Sequence, residues 1–183
     1  MTERPQPFVH LRVHSAYSLL EGALTIPRIA ALAKADEAPA LALTDSNNLF
    51  GALEFSEAMV GVGIQPIVGC TLALTFTGER EPTPGADLRG PKAEGRIAFL
   101  AKDERGYANL MRLSTAAYFT AAEGGEALIT IDELAAHSDG IIALTGGPEG
   151  VIDRALTDGN PELARSRLEA LQALFGDRLY VEL

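Results

Sequence analysis

The chain of 183 residues has a single cysteine, Cys70, which excludes an internal disulfide framework and fits a reducing compartment such as the cytoplasm. It has no apolar run near the roughly 20 residues of a membrane span. Its start, Met-Thr-Glu-Arg-Pro-Gln-Pro, lacks the apolar core of a signal peptide. A cytoplasmic protein with no membrane partner is expected. Positive charge is also scarce: 15 Lys and Arg stand against 25 Asp and Glu, a formal net charge of −10. Nucleic-acid binding depends on basic side chains displacing counterions from phosphates, so this segment is not expected to hold such a backbone by itself. No internal repeat and no Gly-x-Ser-x-Gly elbow is found, so Ser15 and Ser18 read as caps of a turn rather than as nucleophiles. The glycines of Thr145-Gly-Gly-Pro-Glu-Gly150 lack the Lys-Ser/Thr of a P-loop, and Pro148 removes a donor. A plain strand-to-helix turn is the better reading there.

What is present is enough apolar residue, 47%, to bury a core, and the length suits one domain. Short apolar runs alternate with helix-period segments, the pattern of βα units around a mainly parallel sheet. Strands are expected at Phe8–Val13, Ala40–Leu43, Ile64–Phe76, Arg96–Ala101, Gly140–Leu144 and Leu179–Leu183. Helices are expected after Thr25-Ile-Pro27, over Gly51–Val60, over Glu104–Tyr118, after the capping box Thr130-Ile-Asp-Glu133, after Gly150, and from Asn160-Pro161 to Phe175. Residues 78–95 are rich in Pro, Gly and charge and read as a mobile surface loop or open hairpin tip. The final strand-like run has no cap, turn or polar tail after it, which suggests a truncated chain.

Functional residues of βα sheets gather at the C-terminal ends of strands. That rule selects His14, Ser15 and Ser18 after the first strand, Asp45, Ser46, Asn47 and Asn48 after the second, Cys70 and Thr71, and then Thr145, Gly146 and Gly147. His10, Arg12 and His14 share one face of the first strand. Cα atoms two residues apart lie roughly 6.6 Å apart, close enough to share an ion, whereas four residues span about 13 Å. Arg12 occupies the position that would pair with His14, and arginine offers only donors. His14 and Asp45 are therefore the only strong metal candidates, and two ligands rarely hold a catalytic cation. For His10 and Cys70 a structural role is favoured, and His137 reads as part of a polar turn after a helix.

Four blocks in order carry a specific resemblance: His10-Leu-Arg-Val-His-Ser-Ala-Tyr-Ser-Leu-Leu-Glu-Gly22, Ala42-Leu-Thr-Asp-Ser-Asn-Asn-Leu-Phe-Gly-Ala-Leu-Glu-Phe55, Gly63-Ile-Gln-Pro-Ile-Val-Gly69 and Leu100-Ala-Lys-Asp-Glu-Arg-Gly-Tyr-Ala-Asn-Leu110. They resemble a polymerase-and-histidinol-phosphatase (PHP) domain, and more narrowly the segment that opens the C-family replicative polymerases, the α subunits of bacterial DNA polymerase III. Phe175–Leu183 fits the same family, so the resemblance runs over nearly the whole chain. It implies an α/β fold, a PHP-type distorted (β/α) barrel of which this chain would hold the first two-thirds or so.

The resemblance also implies a degenerate metal pocket. The family's His-x-His pair falls on Arg12 and His14, its Thr-Asp-His-Gly block on Thr44-Asp-Ser-Asn47, a glutamate on Thr71, a histidine on Arg96 and a cysteine on Gly147. His14 and Asp45 are retained while Arg12, Ser46, Thr71, Arg96 and Gly147 are losses. Arg12, and less directly Arg96, is expected to pair with Asp45 in place of the metal. Further implications are no cofactor in this segment, Mg2+ at a downstream polymerase site, and the remainder of the α subunit and the proofreading exonuclease subunit as partners. DNA would be held through other domains. The alternatives are a metal-dependent phosphoesterase or 3′–5′ exonuclease using the same pocket, and a stand-alone interaction module.

Overall fold

A computed structural model describes residues 8–76, 92–119, 121 and 125–182. Helix α1, Ile26–Ala35, begins behind Thr25 with Pro27 in its first turn, where a missing N–H costs nothing. Its Ile26, Ile29, Ala30 and Ala33 recur at helical spacing and are buried. Strand β1, Ala40–Leu43, runs parallel to β2, Gln65–Thr75, with α2, Ala52–Gly61, between them. Strand β3, Gly95–Ala101, is followed by α3, Glu104–Phe119, the two-residue β4, Ile129–Thr130, and α4, Ile131–Ala136. The capping box forms as its spacing predicts, with the Thr130 hydroxyl accepting from Glu133 N and the Glu133 carboxylate accepting from Thr130 N. Strand β5, Ile141–Leu144, a 3₁₀ turn, α5, Val151–Thr157, α6, Pro161–Phe175, and β6, Leu179–Tyr180, complete the order. The Asn160 side chain caps α6 on Leu163 N.

The strand order is β1-β2-β3-β5-β6, with β4 beside β2. The sheet is mixed rather than mainly parallel, because β3 runs antiparallel to both β2 and β5. An antiparallel pair can be joined by a short return, whereas a parallel pair needs a crossover, so the βα alternation is broken at this step. Most of the expected 78–95 loop, residues 78–91, lies outside the described residues. Glu94 and Gly95 do not belong to it, since Glu94 N donates to Leu74 O and Gly95 pairs with Leu74.

The expected first strand is also reduced. Residues 8–13 run extended beside β1 through one parallel bridge, His10 to Leu41, and bonds from Ala42 N to His10 O and Thr44 N to Val13 O. The last strand ends at Tyr180 rather than at Leu183. One core gathers Leu72, Leu74, Ile97, Phe99, Leu110, Leu113, Leu171 and Phe175 between the sheet and α3 and α6. A second lies between β1, α1 and α2, around Ile26, Leu41, Phe55 and Met59. Each large apolar side chain fully buried in this way contributes about 1.5–3 kcal/mol.

Candidate functional site

Register builds the site. A single row crosses the sheet from Ser46 through Thr71, Ala98 and Leu144 to Tyr180. Because β3 is antiparallel, its beginning lies at the same end as the finish of β1 and β5, which brings Arg96 to the end where Asp45 and Gly146 emerge.

Asp45 is buried, and both of its carboxylate oxygens accept hydrogen bonds. Its Oδ1 accepts from Ser15 N at 2.7 Å and from Ser18 Oγ at 2.5 Å, and its Oδ2 accepts from Ser15 Oγ at 2.7 Å. The expected pairing with Arg12 or Arg96 is wrong. Arg12 Nη1 donates to Gly146 O at 2.9 Å and to the Glu182 carboxylate at 3.3 Å, and its Nη2 pairs with Glu149 at 3.0 Å. Arg96 pairs with Glu21 at 3.1 Å and with Glu126 at 3.0 Å. The reason is that two serines on the turn after the first segment already satisfy the carboxylate at short range, so both guanidinium groups turn to more accessible carboxylates. Arg12 thereby links the outer segment beside β1 to the far end of the sheet path.

His14 Nδ1 lies 3.2 Å from Glu21, while its Nε2 is buried with no partner. Ser46 donates its backbone N–H to Ser18 Oγ at 3.0 Å and its hydroxyl to Glu21. Thr71 is buried and donates its hydroxyl to Thr44 O at 3.0 Å. Gly147 sits in the left-handed region at φ 52°, opening the 3₁₀ turn, and holds no side chain toward the others. His10 is remote from this cluster, its ring packed edge-on against Phe8. His137 caps the end of α4. Cys70 is buried and burial pushes its thiol pKa up, the behaviour of a small core residue.

Glu21 is the residue that sequence reasoning missed. Burial alone would raise its pKa, but the hydrogen bond from Ser46 and the charge of Arg96, with His14, outweigh that and hold it below the ordinary carboxylate range. The missed signal was spacing: Ser15, Ser18 and Glu21 follow a strand end at intervals of three, and within one turn all three side chains face the Asp45 segment. Ser15 and Ser18 do accept from backbone N–H groups, as expected of turn caps, yet their shared acceptor Asp45 was not foreseen. Chemically, the cluster is a network of mutual donors and acceptors in which His14 Nε2 alone is buried without a partner among the described residues. Among the described residues no three His, Cys, Asp or Glu side chains are gathered as a metal site needs.

A family model described as the PHP domain matches residues 10–183. The chain belongs to the PHP domain family. This PHP domain is 43% identical over 178 residues to the DNA polymerase III subunit alpha of Caulobacter vibrioides, covering 97% of the chain and 15% of that protein. It is 39% identical over 176 residues to the subunit of the same name from Rickettsia bellii, covering 96% of the chain and 14% of that protein. The subunit from Treponema pallidum is 39% identical over 182 residues, with 96% and 15% covered. The chain thus spans about one seventh of the length of these relatives. A solved structure described as a putative metal-dependent phosphoesterase from Bifidobacterium adolescentis matches with a TM-score of 0.50 at 15% identity, over 98% of this chain and 87% of that one. That likeness concerns the fold. Among the described residues no helix is long and apolar enough to cross a membrane.

Proposed function

We propose that the chain is the PHP segment of a bacterial replicative DNA polymerase III α subunit, working there as a hydrolytically inactive structural and subunit-docking domain. The observation that carries this is the state of Asp45. A ligand carboxylate turns its lone pairs to an ion, whereas Asp45 already accepts two hydrogen bonds on Oδ1 and one on Oδ2 from Ser15 and Ser18, which leaves a single acceptor site on Oδ2. Arg12 and Arg96, at positions where the family resemblance puts metal-binding histidines, bring cations that repel a metal. The donor set therefore does not fit a polynuclear metal centre. Arg12, Ser46, Thr71, Arg96 and Gly147 are in this reading the replaced ligands of a former site, with His14 and Asp45 its remnants.

The 36–43% identity to several polymerase III α subunits over nearly the whole chain supports the wider reading. The complete subunit would then perform template-directed DNA synthesis in the cytoplasm, with Mg2+ at a polymerase site outside this segment. It would hold DNA through other domains, and the proofreading exonuclease subunit would dock beside it. Metal analysis and a nuclease assay on the purified chain test the local part: substoichiometric metal and no cleavage of single-stranded DNA with added Mn2+ are expected. Stoichiometric Zn2+ or Mn2+ with cleavage abolished by His14→Ala would overturn it.

A further inference from the structure

The side chains around Asp45 spend their hydrogen bonds on one short turn, residues 15–22. Ser18 N donates to Ser15 O at 2.9 Å, and Glu21 N and Gly22 N both donate to Ser18 O, at 3.0 and 2.8 Å. Ser15 and Ser18 are anchored on Asp45, and Glu21 is held by His14, Ser46 and Arg96. A Cβ at Gly22 would lie 1.9 Å from Ser15 O, so only glycine closes the turn. The product of all this fastening is an unusual presentation. Leu20 is held at φ 68°, a region that bulky L residues avoid, and its side chain is fully exposed. Leu19 beside it is 83% exposed. A domain gains nothing for its own core from a backbone outlier that pushes leucine into water, so the feature points to contact with something else.

Neighbouring contacts extend the surface. Tyr17 donates its hydroxyl to Glu54 at 3.0 Å and Asn48 donates to Tyr17 O at 3.2 Å, tying the turn to the start of α2. There Phe50 and Leu53 are 73% and 72% exposed. Glu54 and Glu57 flank them and are paired with no cation among the described residues.

We propose that Leu19 and Leu20 form a docking knob that inserts into an apolar, basic-rimmed recess of the polypeptide continuing this domain within the same subunit, with Phe50 and Leu53 as flanking contacts. This rests on the reading above that the chain is part of a polymerase α subunit. Size selects an occupant in the same chain. A few exposed apolar side chains fall short of the roughly 800 Å² per partner that a free complex usually buries. Covalent attachment supplies the effective concentration that makes so small a contact persist. The relatives carry this region as 14–15% of one chain, which provides that attachment.

The test uses the full reading frame, assayed first for template-directed synthesis and then for thermal unfolding and limited proteolysis. Leu20→Gly decides the sign. Glycine suits φ 68° better than leucine, so an undocked knob makes the substitution neutral or stabilising. A docked knob makes it lower the melting temperature and release the PHP segment to protease about tenfold faster, with Leu19→Asp doing more. Leu156→Asp, at another exposed leucine, should change neither reading. A polymerase-active subunit that melts higher with Leu20→Gly, with proteolysis unchanged, overturns the docking alone. A full-length product without template-directed synthesis overturns the underlying reading, and the docking with it.

Discussion

Replacing Asp45 by Asn keeps the shape of the side chain and removes the charge that Ser15 and Ser18 converge on. The amide oxygen can still accept from Ser15 N and Ser18 Oγ, both of which serve Oδ1. The amide NH2 then faces Ser15 Oγ, which already accepts from Tyr17 N at 3.1 Å. One hydrogen bond to a charged group is lost and two are weakened, which at about 1.5–3 kcal/mol for such a bond sets the expected cost. At roughly 2–4 °C per kcal/mol for a chain of this size, the melting temperature should fall by about 3–12 °C. Asp45→Ala strands all three donors and should cost about 3–5 kcal/mol. Urea unfolding followed by circular dichroism, with chelator present, measures both. The Ser15→Ala and Ser18→Ala losses should be less than additive with Asp45→Asn, since they delete the same contacts. An Asp45→Asn variant within about 0.5 kcal/mol of the parent would refute the reasoning. So would a parent stabilised by Zn2+ and a variant that is not, because Asp45 would then be a ligand.

Two further outcomes follow from named contacts. Glu21 has a folded pKa held below its ordinary 4.5, so its contribution to stability is complete above that value and is lost as pH falls through the lower folded value. The stability difference between the parent and Glu21→Gln, measured by urea midpoint, should shrink as the pH is lowered below 4.5. A difference that is unchanged or grows on that acidification would contradict the assignment. Two helical glycines should respond to alanine with opposite sign. Gly61 in α2 has open space around it, so Gly61→Ala should stabilise by about 0.5–1 kcal/mol. A Cβ at Gly106 in α3 would lie 1.9 Å from Gly140 O, so Gly106→Ala should destabilise by about 1–3 kcal/mol despite alanine's better helix propensity. Thermal unfolding of the pair measures both.

Much of the fold was legible because its signals are local. Pro27 in the first turn of α1, the Thr130–Glu133 box and the Asn160 cap each act within four residues, so spacing suffices to place them, whereas the Thr25 side chain makes no capping hydrogen bond. The family too was legible, since ordered motifs survive as strings. The antiparallel course of β3 was not, because the direction of a strand is set by the partner it pairs with across the sheet and leaves no local signal in its own residues. The site was half legible: the residues at strand ends were found, and their partners were misassigned.

The sequence by itself determined which side chains arrive at the shared strand ends, and its resemblance to the PHP family implied that arginine, serine, threonine and glycine replace metal ligands there. Only the tertiary structure decided which of them meet. Arg12 finds Glu149 and Glu182 at separations of 137 and 170 residues, while Asp45 is taken by Ser15 and Ser18 on a turn. The physical reason is competition: a buried carboxylate goes to the donors already fixed within reach, and a long, flexible guanidinium goes to whichever acceptors the sheet register brings to it.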